Sequence, residues 1–354
     1  MNVLADEKNY RIGGRYTWQE DRLCLAFSAS YVEFAFCGTK VTAQIASDDF
    51  AEEETLKAWV AVFIDGADVP ARRFPLAKGL HKYEIFNSET PVAAAVRIMK
   101  YSENAFGMVA IADIEVEGGR LLPCPKAADR LIGFIGDSIT CGYGIEGVLD
   151  KDVFTTTQEN PWNAYACLTA RAMGTDFELV SWSGNGIISH YVEETVNEPR
   201  LEKPLMPQLY PYADLELETR LGKTADFTLW NPAKRPDILV IHLGTNDCSY
   251  AREIPERNEM YRKGYIDFVH TLRKTDPHTP IVCMLGIMDQ RLNKTLGETV
   301  EELRAEGDAD IYFLDTPLQD ERDGMGTDSH PSAVTHEKLA KRLCAFIEEN
   351  VCAK

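Results

Sequence analysis

The sequence predicts two parts, a jelly-roll-like all-β sandwich followed by an α/β domain whose parallel sheet lies between helices. Three observations carry this expectation. The first 120 residues hold many short runs rich in β-branched and aromatic residues, and no long helical period. The stretch GGRLLPCPKAADR, Gly118 to Arg130, then gathers two glycines and two prolines. Beyond it, apolar strand-like runs alternate with helical ones. The expected boundaries are a sandwich over residues 1–120, a linker over 121–130 and the α/β domain over 131–354, and a chain of 354 residues has room for both.

In the first part the predicted strands are YVEFAFCG, KVTAQIAS, KAWVAVFIDG, KYEIF, AAAVRIMKYS and MVAIADIEVEGG, with Gly38, Gly66 and Gly79 where the pattern breaks. Many strands at such spacing suit an antiparallel sandwich. In the second part LIGFIG, FELVSWSG, DILVIHLG, PIVCMLGI and IYFLD read as strands. PWNAYACLTARAM, EIPERNEMYRKGYIDFVHTLRKT, TVEELRAEG and HEKLAKRLCAFIEENV read as helices. Near-continuous apolar strands alternating with helices indicate a sheet buried on both faces. Residues 193–235 are irregular and rich in proline, tyrosine and acid, and a connection of that length is often functional.

Composition removes several function classes. A net charge of −19 without a basic cluster repels a phosphate backbone, so nucleic acid is not an expected partner. No window reaches the ~18 apolar residues of a membrane span, so no membrane is expected either. The nine cysteines form no C-x-x-C pair and read as reduced thiols. With no leader-like start in the sequence given, the expected location is the cytoplasm; a trimmed secreted form would read the same way. A homo-oligomer is left open.

The stretch FIGDSITCGYG, Phe134 to Gly144, packs three glycines around Ser138. GYGIEG fits G-x-G-x-x-G, but GDSITC separates it from the preceding strand and the next strand ends in SWSG, without a carboxylate for a ribose. A nucleophilic serine makes other demands: an adjacent base, and donors aimed at a developing oxyanion, all at the carboxyl ends of strands. Ser183-Gly184-Asn185-Gly186, Gly244-Thr245-Asn246-Asp247 and Asp328-Ser329-His330-Pro331 each follow a predicted strand. The G-x-S-x-G elbow is absent, so the chemistry would sit on another scaffold.

These four blocks, GDSIT, SGNG, GTND and DSHP, resemble the SGNH (GDSL-type) hydrolases in order and spacing over about residues 131 to 350. That resemblance implies a flavodoxin-like hydrolase domain. With the β-sandwich ahead, GDSITCGYG and the later MPQLYP, the chain also resembles the second family of carbohydrate esterases, which deacetylate plant polysaccharides such as xylan. It implies that Ser138 attacks the acyl carbonyl and that His330 moves the proton. The oxyanion hole would comprise the Ser138 and Gly184 N–H groups and the Asn246 side chain.

One position departs from the family's D-x-x-H pattern. Thr327 stands where the acid belongs, and Asp328 is two residues before His330. Asp328 is read as the acid that completes a triad; the alternative is that His330 leans on a main-chain oxygen as a dyad. Asp137 and Asp247 are expected to hydrogen-bond surrounding loops. His242 is expected to satisfy a core hydrogen bond, and His190 to lie on the cleft or on a surface loop. The remaining histidines lack metal-ligand spacing, so neither metal nor cofactor is expected. Of Tyr143, Trp162, Trp182, Tyr191, Tyr210 and Tyr212, Tyr143 and Tyr191 are best placed to meet a sugar ring.

The expected function is carbohydrate O-deacetylation through a serine acyl-enzyme, with an acetylated oligo- or polysaccharide as partner. The rivals are a lipase or thioesterase acting on longer acyl chains, and a carbohydrate-binding protein that has lost activity.

Overall fold

A run of 17 residues, β4 (Tyr31–Ser47), organises the first unit, and its side chains explain how one sheet makes a sandwich. Val32, Phe34 and Phe36 are buried, and then Val41, Ala43 and Ile45, so the inward set changes from even to odd positions. A one-residue slip turns every following side chain to the other face. The slip occurs at a register shift between Gly38 and Lys40. A Cβ on Gly38 would lie 2.7 Å from the Glu117 carbonyl oxygen, so only glycine admits the neighbouring backbone there. In this computed structural model, which describes Leu4, Asp6 and residues 8–48 and 50–352, YVEFAFCG and KVTAQIAS are therefore one bent strand. KYEIF and AAAVRIMKYS likewise join in β7 (Gly79–Lys100).

Besides β4 and β7, this unit contains β1 (Tyr10–Gly13), β2 (Tyr16–Gln19), β3 (Arg22–Leu25), β5 (Trp59–Ile64), β6 (Arg72–Pro75), β8 (Val109–Glu117) and β9 (Arg120–Leu122). The four-residue strands escape a reading that looks for longer alternation. All pair antiparallel in one sheet of order β2-β3-β8-β4-β7-β5-β6, with β1 and β9 also on β4. The curled sheet closes on a core that includes Phe34, Phe36, Val60, Val62, Val96, Ile98 and Ile111.

The unit takes in the chain up to Ala128 together with Thr155–Thr157 and Tyr212–Trp230. The last of these carries the helix Leu215–Arg220, whose Leu217 packs with Cys24, Ala46 and Ala110. Asp214 caps that helix by accepting from Leu217 N, and it also accepts from Asn104 Nδ2 at 2.7 Å. Part of the irregular 193–235 connection thus completes the β unit.

The second unit comprises Asp129–Phe154, Gln158–Pro211 and the chain from Asn231 on. Its strands are β10 (Leu131–Gly136), β11 (Asp176–Ser181), β12 (Ile238–His242), β13 (Ile281–Ile287) and β14 (Ile311–Leu318), all parallel in the order β11-β10-β12-β13-β14. Every residue of β12 and β13 is buried, as strands covered on both faces require. Its helices are α1 (Ser138–Cys141), α2 (Tyr165–Ala172), α3 (Met206–Leu209), α5 (Thr245–Ala251), α6 (Pro255–Thr275), α7 (Asn293–Ala305) and α8 (Ala333–Asn350), α4 being the Leu215–Arg220 helix above. The predicted alternation of strand and helix is borne out. Strand order reverses around β10, and an open parallel sheet forms its ligand crevice at that switch point. No helix among the described residues is long and apolar enough to cross a membrane.

Candidate active site

β10 ends at Gly136, and the chain turns at once into the four-residue α1. Asp137 caps this turn, its carboxylate accepting from Ile139 N at 3.0 Å. Ser138 is the first helical residue and only 6% exposed. Its Oγ lies 2.8 Å from Nε2 of His330, which sits just ahead of α8. The sequence separates these residues by 192 positions; the sheet brings them into hydrogen-bond contact.

The other imidazole nitrogen faces main-chain oxygens and not the Asp328 carboxylate expected of a triad. Nδ1 of His330 is 3.2 Å from the carbonyl oxygens of both Thr327 and Asp328. The Asp328 carboxylate instead accepts from Tyr143 Oη at 2.9 Å. Asp328 (φ 53) and Ser329 (φ 61) are both left-handed, which residues with a side chain rarely adopt, and Gln319 Nε2 donates to Ser329 O at 2.7 Å. Thr327, at the acid's usual place, is buried. A Cβ on Gly144 would come within 2.8 Å of its oxygen, and one on Gly147 within 1.9 Å of its Oγ1. Two glycines of GYGIEG therefore make room for the histidine turn. Thr327 Oγ1 donates to Gln158 Oε1 at 2.9 Å, and its N–H to Gly144 O at 3.0 Å.

Tyr143 has a second contact with the pair. Its ring lies 4.4 Å from the imidazole, tilted by 40°, and stacks on Phe154 at 3.6 Å and 8°. Burial pulls the His330 pKa from 6.5 down to about 4, while the Thr327 and Asp328 carbonyls and the Asp328 charge push it back up. The imidazole is thus neutral near neutral pH, and Nε2 can accept a proton from Ser138 Oγ.

The remaining blocks line the neighbouring strand ends. Gly184 is left-handed (φ 75), with nothing within 4 Å of where its Cβ would be. Asn246, in the first turn of α5, donates through Nδ2 to Asn185 O at 2.8 Å and to Asp137 Oδ2 at 3.3 Å. Beside it, the Asp247 carboxylate accepts the backbone N–H groups of Ile187, Ile188 and Ser189, between 2.7 and 3.2 Å. Burial raises its pKa from 3.8 to about 6, against the pull of those three N–H groups. Asp247 binds a loop, as its sequence position suggests, whereas Asp137 bonds the first turns of α1 and α5.

The other histidines differ from expectation. His242 is fully buried, yet neither ring nitrogen closes a hydrogen bond of normal geometry among the described residues. The Gly286 backbone only partly opposes the lowering of its pKa by burial, so the expected core bond is not fully made. His190 is buried rather than set on a surface loop, with Nε2 3.2 Å from Lys203 O, and it fastens its own segment. Trp162, Trp182 and Tyr210 are buried in the α/β unit, and Tyr212 belongs to the β unit. Tyr191 is 47% exposed and offers an open ring. Phe154, Gln158 and Gln319, which help build the walls of the histidine turn, escaped the sequence reading. Only the threonine in place of the acid of D-x-x-H signalled that the turn was unusual.

Comparison with known proteins extends this geometry. Residues 134–338 match the GDSL-like lipase/acylhydrolase family, and residues 12–125 match the carbohydrate esterase 2 N-terminal domain. The chain is 30% identical over 331 residues to the cellulase/esterase CelE of Acetivibrio thermocellus, with 92% of this chain covered. It spans only 37% of that relative's length. It is 27% identical over 351 residues to an acetylxylan esterase/glucomannan deacetylase of Cellvibrio japonicus, covering 96% of this chain and 88% of the relative. A family two carbohydrate esterase from Clostridium thermocellum, solved in complex with cellohexaose, superposes with a TM-score of 0.84 at 29% identity, over 97% of this chain and 99% of that one.

Proposed function

The chain belongs to the GDSL-like lipase/acylhydrolase family and carries a carbohydrate esterase 2 N-terminal domain, and from that premise we propose that it is a serine esterase removing acetyl groups from carbohydrate. The observation that carries the reading is the 2.8 Å contact between Ser138 Oγ and His330 Nε2, with Nδ1 turned to main-chain oxygens. His330 takes the Ser138 proton as Oγ bonds to the acetyl carbon, and the carbonyl oxygen becomes an oxyanion. As that intermediate collapses, the carbon–oxygen bond to the sugar breaks and His330 returns the proton to the departing hydroxyl. Water, deprotonated by His330, then attacks the acetyl-serine; acetate leaves and Ser138 regains its proton.

The Thr327 and Asp328 carbonyls hold the Nδ1–H tautomer that this cycle needs and stabilise the imidazolium as it forms. The N–H groups of Ser138 and Gly184 and the Asn246 amide are the oxyanion donors. Asn246 is held in place by its 2.8 Å bond to Asn185 O, and its longer bond to Asp137 is the one an oxyanion displaces. Tyr191 is the platform for the sugar face, an exposed ring reached from the glycine block.

The Cellvibrio and Clostridium relatives support acetylated xylan, glucomannan or a cello-oligosaccharide as the glycan. Acetate release from acetylated xylo-, manno- and cello-oligosaccharides, set beside octanoyl ester hydrolysis, tests the assignment with wild type and Ser138→Ala. Preference for the octanoyl ester, or undiminished release by Ser138→Ala, would reject it.

A further inference from the structure

The platform residue Tyr191 stands in a stretch with little regular structure, and its position depends on what grips the chain on either side. Before it, the Asp247 carboxylate binds three successive N–H groups, and the Tyr191 N–H itself donates to Gly184 O at 2.9 Å. Immediately after it, Ser249 Oγ accepts from Val192 N at 2.9 Å. The following residues are held by cations. α5 is followed by two left-handed residues, Arg252 (φ 48) and Glu253 (φ 59). The Arg252 guanidinium donates to Glu193 O at 2.9 Å and also to Glu194 O and Val196 O, while its Nε donates to Ser249 O at 2.8 Å. Arg257 continues the line, donating to Asn197 O at 3.1 Å and to Tyr250 O at 2.7 Å. Each of these guanidinium acceptors is a main-chain oxygen. An anion thus holds the N–H groups before Tyr191, and two cations hold the carbonyls after it.

We propose that Arg252, seconded by Arg257, is a specificity-determining positioning residue that fixes the segment carrying the Tyr191 ring. The proposal rests on the reading of Tyr191 as the sugar platform. A guanidinium presents five N–H donors in a planar fork, whereas an ammonium is a compact point charge with three. The Arg252 acceptors lie on Glu193, Glu194, Val196 and Ser249, spread across the fork, so one ammonium cannot replace it. The clamp touches neither Ser138 nor His330, and because it also bonds α5 at Ser249 O, the ring-free ester separates an effect on sugar binding from one on the oxyanion donor Asn246.

The test is a double-mutant cycle of Arg252→Gln with Tyr191→Ala, read on acetylated xylo-oligosaccharide and on ethyl acetate, which has no ring to stack. Arg252→Gln is expected to raise KM for the oligosaccharide about tenfold with kcat held within about twofold, and in the Tyr191→Ala background to add almost nothing. Arg252→Lys is expected not to restore KM. Arg257→Gln should shift KM in the same direction by less, and it carries the test if Arg252→Gln does not fold. Equal losses on both esters, or full additivity with Tyr191→Ala, would overturn the clamp. If Tyr191→Ala raises KM and neither arginine variant does, the clamp falls and the platform stands. If Tyr191→Ala itself leaves KM unchanged, platform and clamp fall together.

Discussion

Replacing Asp328 by asparagine separates a triad from a dyad held by main chain. The asparagine side chain keeps an oxygen for Tyr143 Oη and leaves the backbone carbonyls of positions 327 and 328 in place, so Nδ1 of His330 retains its acceptors. What disappears is the carboxylate charge. A hydrogen bond to a charged group contributes ~1.5–3 kcal/mol, and solvent screening at this exposed residue reduces that to about 1 kcal/mol. Adding a small loss of imidazolium stabilisation, kcat/KM should fall about tenfold. Removing the acid of a true triad lowers kcat by ~10⁴. The same variant moves the pH profile in a defined direction. His330 works as a base only when neutral, and burial puts its pKa at about 4, so activity should be lost as pH falls through about 4. The Asp328 charge raises that pKa, so Asp328→Asn should shift the acid limb lower still. Steady-state acetate release across pH measures both quantities. A loss of about 10³ or more at neutral pH would refute the main-chain assignment, and an acid limb that moves up would refute the effect assigned to the Asp328 charge.

Neighbouring groups give two more predictions. Asn246→Ala should lower kcat by ~10²–10³ through loss of an oxyanion donor, with KM for the oligosaccharide little changed, as steady-state kinetics would show. The buried histidines weaken the fold in acid, against the opposing effect of the raised Asp247: burial lowers the pKa of His242 to about 4 and of His336 to about 3, each below the unfolded value of 6.5. Their contribution is present above 6.5 and lost as pH falls towards those folded values, because the unfolded chain takes up protons first. His242→Leu, which removes two buried nitrogens lacking a well-formed hydrogen bond, should flatten the fall between pH 6.5 and about 4 in urea titrations.

The α/β half of the fold was legible because each strand is a short apolar run, and the small polar blocks that follow form the candidate site. Ser138, Gly184, Asn246 and His330 follow β10, β11, β12 and β14 as the sequence order suggests. The β half was harder to read. Gly38 looks like a turn but marks a bulge, and only the change from even to odd inward positions records that β4 continues through it. The return of residues 212–230 to the β unit depends on contacts as small as Leu217 against Cys24 and Ala110, which no local pattern announces.

The partner of His330 was least legible. A main-chain oxygen leaves no mark in side-chain chemistry, and its direction depends on the left-handed conformation of Asp328 and Ser329. The glycines after Ser138, which imitate a nucleotide loop, acquire their meaning only when Thr327 is seen packed on Gly144 and Gly147. Asp328, the nearest acid in sequence, is drawn away by Tyr143, a contact across 185 positions.

The central claim is that Ser138 carries the acetyl group between sugar and water. Rapid acid quenching during turnover of an acetylated xylo-oligosaccharide, followed by peptide mass spectrometry, tests it most directly. The account predicts one acetyl group on the peptide containing Ser138, absent in Ser138→Ala. Acetate release at the wild-type rate by Ser138→Ala, or an acetyl group trapped on another residue, would contradict it.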